Sequence, residues 1–595
     1  MKRALCLLLT SLVLASTVTG CSSNSNDGAT SKGSNKYTPG VYTATTQGMH
    51  GSEMVVDVTF DESSITDVKV VSHGETFGIG YGMETTPIET IPNKIVETQS
   101  VDLDSVTGAT LTTTFILNAV KDTVVQAGGT VENLSAKPET TKAEDQTYDV
   151  DVVVVGAGVA GISAAIEAAA NGADVLILEK QGIVGGATTR SGGKLMANGT
   201  DIQKAEGIED SNELMFDYLK EVGGDLIDDE KLHGFVDNSL DTYNWMTDMG
   251  VQVQDVEPIH SSLTPYRVHN TLGGGGMTDG HGGQIIVPMM NKYNELDGDI
   301  LYNVTANELL TNDNNEIVGV KGLAKDGSTV TVNAKSVIIA TGGYAQNKEM
   351  MARYADFTTG YSTQIPTGNV GDGITMAEAV GAQIFNSPST QTVYVSYTCG
   401  VGINEESGLI VTEDGKRFVN EYTYQYHVGD AMRKENSSLG YYIATSNDPT
   451  PTVQYGMSLE STVSADSIEE LAKLIEVDPA TLQATVDRYN ELCEKGVDED
   501  FGKPADKMYP IKGEKYYAIK LNPAVTVTFG GIVTDVESRV LDANNTPIKG
   551  LYAAGETAFE GLFGTEYPGC GVAISAGSYY GRVAGENAAN EAKAN

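Results

Sequence analysis

Residues 148–161 read YDVDVVVVGAGVAG, and this stretch decides the fold of the chain. The apolar run before Gly156 is typical of a buried parallel strand, and the glycines after it form a G-x-G-x-x-G turn. Residues 162–170 then read as an apolar helix that Gly172 can end. The strand, the turn and the helix together predict a Rossmann-like α/β domain that binds a dinucleotide.

A second buried strand is predicted at residues 173–178, and it leads to Glu179. An acid at this distance from the glycine turn is positioned to accept a hydrogen bond from a ribose hydroxyl. The turn and the acid do not by themselves separate a flavin dinucleotide from a nicotinamide one.

The composition narrows the class of protein. With 595 residues the chain is long enough for two or three domains, and 40% hydrophobic and 20% charged residues fit neither disorder nor a polytopic membrane protein. A net charge of -42 repels phosphate backbones, which argues against a nucleic-acid partner. The five cysteines show no CxxC or metal-ligand spacing, so the sequence predicts no metal site, and any redox chemistry must use another carrier.

The amino-terminal residues predict a signal peptide for export. Lys2 and Arg3 precede an apolar run over residues 4–15, which is the length of a signal-peptide core. The following Val-Thr-Gly-Cys string resembles a bacterial lipoprotein cleavage box, which makes residues 1–20 a signal peptide and Cys21 the lipidated first residue. Residues 21–36 form a flexible tether. We expect an extracytoplasmic, lipid-anchored protein at the cell membrane; the alternative is an ordinary secretory signal with a chance cysteine.

The first folded unit is predicted over residues 37–129 as a small α+β domain. Residues 104–110 read DSVTGAT, where Gly108 lets a ligand approach the backbone and the helix start downstream favours an anion. Together with His73-Gly-Glu-Thr, this string resembles the FMN-binding domain in which a flavin transferase esterifies FMN to the last threonine. The resemblance makes Thr110 the acceptor of covalent FMN; the alternative is a threonine-rich helix start without a cofactor. The alternating and helical patterns predict strands at 40–44, 54–60 and 65–72 and a helix at 114–126.

A polar linker at residues 130–147 separates this unit from the glycine turn. Three later segments read GGATTRSGG at 185–193, ATGGY at 340–344 and GLYAAGE at 550–556. With the turn, they resemble the flavoprotein subunits of fumarate reductase and succinate dehydrogenase and their soluble extracytoplasmic relatives. The resemblance implies a non-covalent FAD domain over 148–387 and 528–595, interrupted by an α+β capping domain over 388–527. It implies these FAD-binding residues: Gly156, Gly158, Ala160, Gly161, Glu179, Ala187, Thr188, Ser191, Gly192, Gly193, Gly343, Asp372, Glu556 and Ile574.

The cationic groups of a fumarate site are absent from their expected places. Gln425 stands where the family has an arginine proton donor, and Thr526 and Val527 stand near the expected carboxylate-binding histidine. The segment at 564–571 reads GTEYPGCG and lacks the expected arginine. Reduction of a dicarboxylate needs cations that hold two carboxylates, so we do not expect fumarate as the substrate.

The YPGCG string over residues 567–571 resembles a segment of the 3-ketosteroid dehydrogenases, which share the FAD and cap architecture. The resemblance gives the Tyr567 hydroxyl and the Gly571 amide the role of gripping a ketone oxygen, as two neutral donors suited to an enolate. The alternative is a packed tyrosine before a turn. For the proton donor we favour Tyr426, with Tyr424 and Tyr394 as further candidates. The alternative, which is the commoner role for any one of these tyrosines, is packing or lining the cavity.

These interpretations predict an FAD- and FMN-dependent oxidoreductase that acts on CH–CH groups. We expect hydride transfer to an activated C=C bond of an enone or another neutral conjugated acceptor. Since no second nucleotide motif is evident, electrons should come through the covalent FMN from a membrane donor linked to quinol or an NADH dehydrogenase. Alternatives are an enoate reductase of the fumarate, urocanate or cinnamate type, a flavin dehydrogenase that desaturates a ketone, and a redox-inactive binding lipoprotein.

Thr110→Ala should abolish covalent flavin and activity with the membrane donor, because the acceptor hydroxyl is lost. Turnover with a strong artificial reductant should persist, since the FAD domain is unchanged. The measurement is the flavin that stays with the chain after denaturation. Full retention of that flavin in the variant would refute the assignment.

Overall fold

The computed structural model describes residues 36–47, 53–73, 86–106, 109–135, 142–260, 263–272, 281–363, 365–396, 401–402, 408–459 and 462–594. The predicted signal peptide, Cys21 and most of the tether lie outside these ranges, as do Gly108 and residues 74–76 of the FMN motif. No helix within the described ranges combines the length and the apolar character that a membrane span requires.

The first unit is a small α+β domain, as the sequence predicts. Its three strands form an antiparallel sheet in chain order, and they confirm the predicted strands to within a few residues. The first helix was not predicted, because prolines at positions 87 and 92 disguise a segment that Thr86 caps at its amino end. The elements are β1 (Gly40–Gln47), β2 (Glu53–Phe60), β3 (Ile65–Ser72), α1 (Pro87–Thr98) and α2 (Thr110–Gln126).

The glycine turn opens the central α/β domain, as predicted. Its main sheet follows the order β10-β11-β12-β4-β5-β9, in which β12, β4, β5 and β9 are parallel and β10 and β11 are antiparallel. The elements up to residue 379 are β4 (Gln146–Val155), α3 (Val159–Ala170), β5 (Val175–Glu179), β6 (Lys194–Met196), α4 (Asp201–Glu206), α5 (Asn212–Gly223), α6 (Asp229–Asp237), α7 (Ser239–Asp248), β7 (Val253–His260), β8 (Leu263–Thr271), α8 (Gly283–Glu295), β9 (Asp299–Tyr302), β10 (Val304–Thr311), β11 (Ile317–Ala324), β12 (Thr329–Ile339), α9 (Lys348–Tyr354), β13 (Ser362–Thr363) and α10 (Asp372–Ala379).

The cap is an α+β unit built on one long strand, β20. The cap sheet follows the order β16-β15-β20-β18-β17, and β13 and β19 also pair with β20. The sheet therefore includes residues 362–363, which precede the predicted start of the cap. Before the cap, β14 (Ile384–Phe385) pairs with residues 531–532 in a separate two-stranded sheet. The elements of the cap are β15 (Thr390–Ser396), β16 (Val401–Gly402), β17 (Leu409–Thr412), α11 (Gln425–Lys434), β18 (Gly440–Thr445), α12 (Pro451–Ser458), β19 (Val463–Ala465), α13 (Ile468–Leu474), α14 (Pro479–Lys495) and β20 (Tyr516–Thr528).

The chain then returns to the α/β domain and ends in a long helix that packs on α3. Gly581 and Gly585 make this contact close, because a Cβ at either position would lie 2.3 or 2.2 Å from a carbonyl oxygen of α3. The Ser163 and Ser578 hydroxyls are hydrogen-bonded across the same seam at 2.8 Å. The last elements are β21 (Gly531–Ile532), β22 (Arg539–Leu541), β23 (Pro547–Ala553) and α15 (Val572–Ala594).

A buried ion network holds the cap together. Arg417 donates to both carboxylate oxygens of Glu421 at 2.8 Å and to those of Asp498 at 3.0 and 2.8 Å. The side chains of Glu421 and Asp498 are fully buried, and Lys503 lies 3.3 Å from Glu421. The string RFVNE at residues 417–421 is therefore part of the structural core of the cap.

Arg417→Met should lower the free energy of unfolding by about 3–5 kcal/mol, because Asp498 then keeps a buried charge without its cation. Arg488→Met is the matched control in the same unit: Arg488 is 40% exposed and pairs with Asp500 at 2.8 Å. That exposed pair should contribute about 1 kcal/mol or less. Urea unfolding of both variants measures the difference, and equal shifts would show that burial does not matter here.

Candidate active site

One cavity of about 560 Å³ lies at the carboxyl ends of β4 and β5. In open α/β sheets, ligands bind at this edge of the parallel strands. The cap contributes to the wall through β15, α11 and β20, and the first turns of α15 contribute from the α/β domain. The cavity therefore joins the predicted dinucleotide site to the predicted substrate site.

The glycine turn forms one end of this cavity. A Cβ on Gly156 would lie 2.4 Å from the Ala340 carbonyl oxygen, and one on Gly161 would lie 1.9 Å from the Gly156 carbonyl oxygen. These two glycines let backbone segments pack closely. Gly158 differs, because a Cβ there would meet no atom within 4 Å and the residue lines the cavity. The space in front of Gly158 is thus left for a ligand.

Glu179 lies at the end of β5 and lines the cavity. The Ala157 amide donates to one oxygen of its carboxylate at 2.9 Å, and the Gln181 amide donates to the other at 2.7 Å. Burial raises the pKa of this carboxyl, although the two amides act in the opposite direction. The fixed carboxylate oxygens are well placed to accept from a ribose.

Glu556 is a second buried carboxylate in the cavity wall. It accepts from the Thr528 amide at 2.9 Å, from the Thr528 hydroxyl at 3.0 Å and from the Asn369 side chain at 3.2 Å. Burial raises the pKa of Glu556, which the bond from Thr528 offsets in part. The residue joins the end of β20 to Asn369 in the loop before α10.

Two further polar features of the wall fit a bound dinucleotide. The Thr341 hydroxyl is buried and has no hydrogen-bond partner among the described residues, and Thr341 lines the cavity. Lys180 and Asp372 line it as well and pair at 2.6 Å. A dinucleotide offers acceptors and donors to such groups, so the residues present fit FAD.

The cap end of the cavity is aromatic. The rings of Tyr426 and Tyr567 meet edge to face with 4.9 Å between their centroids, and Phe529 and Phe563 pack on Tyr567. The Tyr567 hydroxyl accepts from the Ala573 amide at 3.3 Å. Burial raises the pKa of both tyrosines, so both phenols keep their protons at neutral pH.

Tyr424 lies behind this wall and does not line the cavity in the described part of the chain. Its hydroxyl accepts from the Cys570 amide at 2.7 Å and donates to the Cys570 sulfur at 3.3 Å. Its ring packs edge-on against Tyr426 at 4.6 Å. Cys570 itself lines the cavity between Tyr567 and Gly571.

In the small amino-terminal domain, Thr110 is the first residue of α2 and its side chain is exposed. Ala109, the residue at the cap position, makes no side-chain hydrogen bond to the first turn. An uncapped helix start favours a phosphate, and the exposed hydroxyl is open to an enzyme that would esterify it. The placement fits the predicted attachment site of FMN.

Comparison with known families decides the classification. Residues 151–574 match the FAD binding domain family, which is well over half of the chain. The chain belongs to the fumarate reductase-like flavoproteins. Residues 48–125 match the FMN-binding domain family, so this flavoprotein carries sites for both FAD and FMN. It is a flavin-dependent oxidoreductase of a family that acts on CH–CH groups.

Similar proteins of known activity are reductases. Urocanate reductase of Eggerthella lenta is 31% identical to the flavoprotein over 599 residues, which is 96% of each chain. Fumarate reductase (cytochrome) of Shewanella frigidimarina is 34% identical over 75% of this chain and 78% of its own length. The first of these relatives thus spans the amino-terminal domain as well as the FAD domain and the cap.

Solved structures show the same fold. The 3-ketosteroid-Δ4-(5α)-dehydrogenase of Rhodococcus jostii superimposes with a TM-score of 0.64 at 28% identity and covers 75% of this chain and 100% of its own. An open form of a flavocytochrome c3 fumarate reductase superimposes with a TM-score of 0.63 at 28% identity, over 77% of this chain and 83% of its own. They confirm the predicted FAD domain with an inserted cap.

The flavoprotein brings most of the predicted site residues to the one cavity. Gly161, Gly193 and Gly343 lie behind the lining, where they allow close packing: a Cβ on Gly343 would lie 2.2 Å from the Glu556 carboxylate. The side chain of Tyr394 lies outside the described part of the structure, although its backbone pairs with Pro523. The predicted residues that line the cavity are Gly156, Gly158, Ala160, Glu179, Ala187, Thr188, Ser191, Gly192, Asp372, Tyr426, Glu556, Tyr567, Gly571 and Ile574.

Sequence reasoning missed Lys194, which also lines the cavity of the flavoprotein. Its ammonium pairs with Glu257, and the side chain of Lys194 is only 12% exposed. Burial lowers the pKa of Lys194, but the nearby Cys570 sulfur and Glu257 carboxylate outweigh burial and raise it overall. Its position directly after the glycine-rich segment was a signal that Lys194 could line the cavity. Its pairing with Glu257 had no such signal, because β6 and β7 come together only in the folded sheet.

Gly158→Ala should abolish tight FAD binding without lowering the stability of the flavin-free flavoprotein. The new methyl group fits the fold but occupies the space left for the ligand. Gly283→Ala is the control, because a Cβ there also meets nothing within 4 Å but lies outside the cavity lining. Flavin absorbance after gel filtration and the urea midpoint of the apoprotein are the measurements. Stoichiometric FAD in Gly158→Ala would contradict this reading of the turn.

Proposed function

We propose that the flavoprotein reduces the activated C=C bond of a conjugated carbonyl acceptor, such as an enone. One observation carries the proposal: Tyr567, Gly571 and Tyr426 line the same cavity as the FAD-binding turn. FAD, when bound, supplies the hydride. The residues of the chain bind the carbonyl oxygen, exclude water and supply the proton.

Tyr567 has the geometry of an oxygen-binding donor. Its hydroxyl oxygen accepts the Ala573 amide at 3.3 Å, which leaves its proton available to a ligand. Because burial raises the pKa of this phenol, it acts as a neutral donor. A neutral donor in a water-excluded site stabilises the negative charge that develops on a carbonyl oxygen when hydride adds at the β-carbon.

The charge of the wall favours an acceptor with few negative charges. Arg190 is the one arginine among the described lining residues, and it is exposed in the segment that follows Gly186. Arg267 and Arg433 do not line the cavity in the described part of the chain, and both belong to ion pairs: Arg267 pairs with Asp210, and Arg433 pairs with Asp430. A dicarboxylate would find no arginine clamp beside Tyr567 in this part of the structure.

Lys194 supports a second candidate, the reduction of an enoate. It is a cation in the cavity wall. Its strand, β6, packs against the segment of residues 567–571, because a Cβ on Gly571 would lie 2.6 Å from the Leu195 carbonyl carbon. One ammonium can hold one carboxylate. Two of the relatives, a urocanate reductase and a fumarate reductase, are named for unsaturated acids of this kind.

We also propose that electrons reach the FAD domain through FMN esterified to Thr110 by a flavin transferase. The donor would be a membrane quinol or NADH dehydrogenase-linked system, and a lipid on Cys21 would hold the protein outside the cell membrane. The exposed Thr110 at the start of α2 and the lipoprotein-like string before Cys21 support this arrangement. Globomycin-sensitive processing and lipid labelling of Cys21, with Cys21→Ser as the control, would test it.

The test of the reaction is a panel of alkenes offered to the chemically reduced protein under anaerobic conditions. Reoxidation of the flavin absorbance by enones but not by enoates favours the first candidate, and the opposite order favours the second. If no alkene reoxidises the flavin and a saturated ketone reduces the oxidised flavin, both reductase candidates are wrong and the protein is a dehydrogenase.

Tyr567→Phe should cost about 2–4 kcal/mol of transition-state stabilisation, because the donor to the developing oxyanion is lost while the ring remains. The measurement is kcat/KM with the best acceptor of the panel. Tyr580→Phe is the control: this buried hydroxyl donates to the Lys231 carbonyl at 2.6 Å and lies outside the cavity lining. Unchanged kinetics in Tyr567→Phe would make the residue a packing element.

A further inference from the structure

A charged cluster lies on one face of the small sheet that β6, β8 and β7 form. Lys194 of β6 and Asp255 of β7 are both paired in register with Asn270 of β8, and Glu257 follows two residues after Asp255. Side chains directly opposite each other, or two positions apart on one strand, share a face of a sheet. The cluster therefore brings together one cation, two carboxylates and one amide.

The cluster binds the Lys194 ammonium within the protein. The ammonium pairs with one oxygen of Glu257, and the other oxygen of Glu257 accepts from the Asn270 side chain at 3.0 Å. Asn270 also donates to Asp255 at 2.6 Å. Both N–H groups of the amide thus face carboxylates, and its carbonyl oxygen is buried without a partner among the described residues. Glu257 is held from two sides.

Lys194 is the member of the cluster that lines the cavity in the described part of the chain. Its side chain is 12% exposed, whereas that of Glu257 is 37% exposed and lies outside the lining. Strand β6 packs on the segment that carries the candidate oxygen-binding groups, because a Cβ on Gly571 would lie 2.8 Å from the Met196 amide nitrogen. The ammonium is therefore next to the place proposed for the acceptor.

The pairing leaves little net positive charge at this point of the wall. Burial lowers the pKa of Lys194, but the Cys570 sulfur and the carboxylates of Glu257 and Asp255 raise it overall, so the ammonium is charged at neutral pH. Glu257 matches that charge, and Asp255 adds a second negative charge nearby. An acceptor carboxylate would have to displace Glu257 from the ammonium, whereas a neutral acceptor leaves the pair intact.

We propose that Glu257 is a specificity-determining residue that directs the site to uncharged conjugated acceptors. It does so by holding Lys194 in an internal ion pair, so that an enoate gains no free cation when it binds. Discrimination between ligands commonly uses a group that opposes the wrong ligand. The inference rests on the proposed function and chooses between its two candidates: the native chain takes the enone, and a chain without the Glu257 charge also takes the enoate.

The test compares cinnamate with benzylideneacetone, in which a methyl ketone replaces the carboxylate. Both are titrated into the oxidised, flavin-loaded full-length protein, and the change in flavin absorbance gives the dissociation constants. Glu257→Gln keeps the size of the side chain and removes its charge. We expect this variant to bind cinnamate about tenfold more tightly or better, with the ketone unchanged, because a charge-assisted hydrogen bond to the ammonium becomes available.

Glu560→Gln is the matched control. Glu560 pairs at 2.8 Å with Lys231, a lysine that is 3% exposed, and neither residue belongs to the described lining. The control removes the same charge from a comparable pair, so it should leave both dissociation constants unchanged. A ratio of the two constants that Glu257→Gln leaves at its wild-type value, or that both variants change alike, overturns the proposal.

A double-variant cycle shows whether Glu257 acts through Lys194. Lys194→Met should abolish the gain in cinnamate affinity that Glu257→Gln produces, since the cation that receives the carboxylate is then missing. A gain of the same size without Lys194 would mean that Glu257 repels the acid directly, and it would overturn the ion-pair mechanism.

Reoxidation of the chemically reduced protein by the same two alkenes separates this inference from the proposed function. We expect the wild type to reduce benzylideneacetone and Glu257→Gln to reduce cinnamate as well. If neither alkene is reduced while the affinity ratio changes as expected, the proposed reaction fails and the charge selection stands. If the ketone is reduced while the ratio stays the same in Glu257→Gln, the reaction stands and the role of Glu257 is wrong.

Discussion

The enclosure of the cavity depends on one buried carboxylate. Glu556 holds the end of β20, which belongs to the cap, and Asn369, which belongs to the α/β domain. Gly343 fits between them only because it has no side chain. A carboxylate that accepts several hydrogen bonds in the interior fixes its neighbours firmly, since leaving any of these donors unpaired would be costly. The position of the cap wall, with Thr526 and Val527, follows from this junction.

Much of the fold could be predicted because it rests on local signals. The glycine turn is recognisable by the strand before it and the helix after it, and Gly156 and Gly161 each have a steric reason in the structure. The strands of the small domain follow from alternation of apolar residues. Helix α1 escaped prediction because Pro87 and Pro92 read as breakers, although a proline in the first turn replaces no helix hydrogen bond.

The sequence predicted which residues contribute to the candidate site, but it did not predict which of them face the cavity or how they pair. Tyr424 and Tyr426 are two positions apart, and sequence alone cannot say which of them faces the cavity. The start of α11 between them turns one ring inward and the other toward the ligand space. Lys194 and Glu257 belong to strands β6 and β7, which meet only through β8, so their pairing has no local signal.

The glycine seam between α3 and α15 gives the terminal helix a mechanical role. Gly585 is 14 residues from Gly571, which at 1.5 Å per residue places the seam about 21 Å from the start of the helix. The backbones of the two helices are so close here that a Cβ on Gly585 would lie 2.2 Å from the Ala164 carbonyl oxygen, so the helix has no freedom to slide. A methyl group added at this seam would shift the helix as a rigid unit, including its first turns, which line the cavity. The shape of the cavity therefore depends on small residues that lie far from its lining.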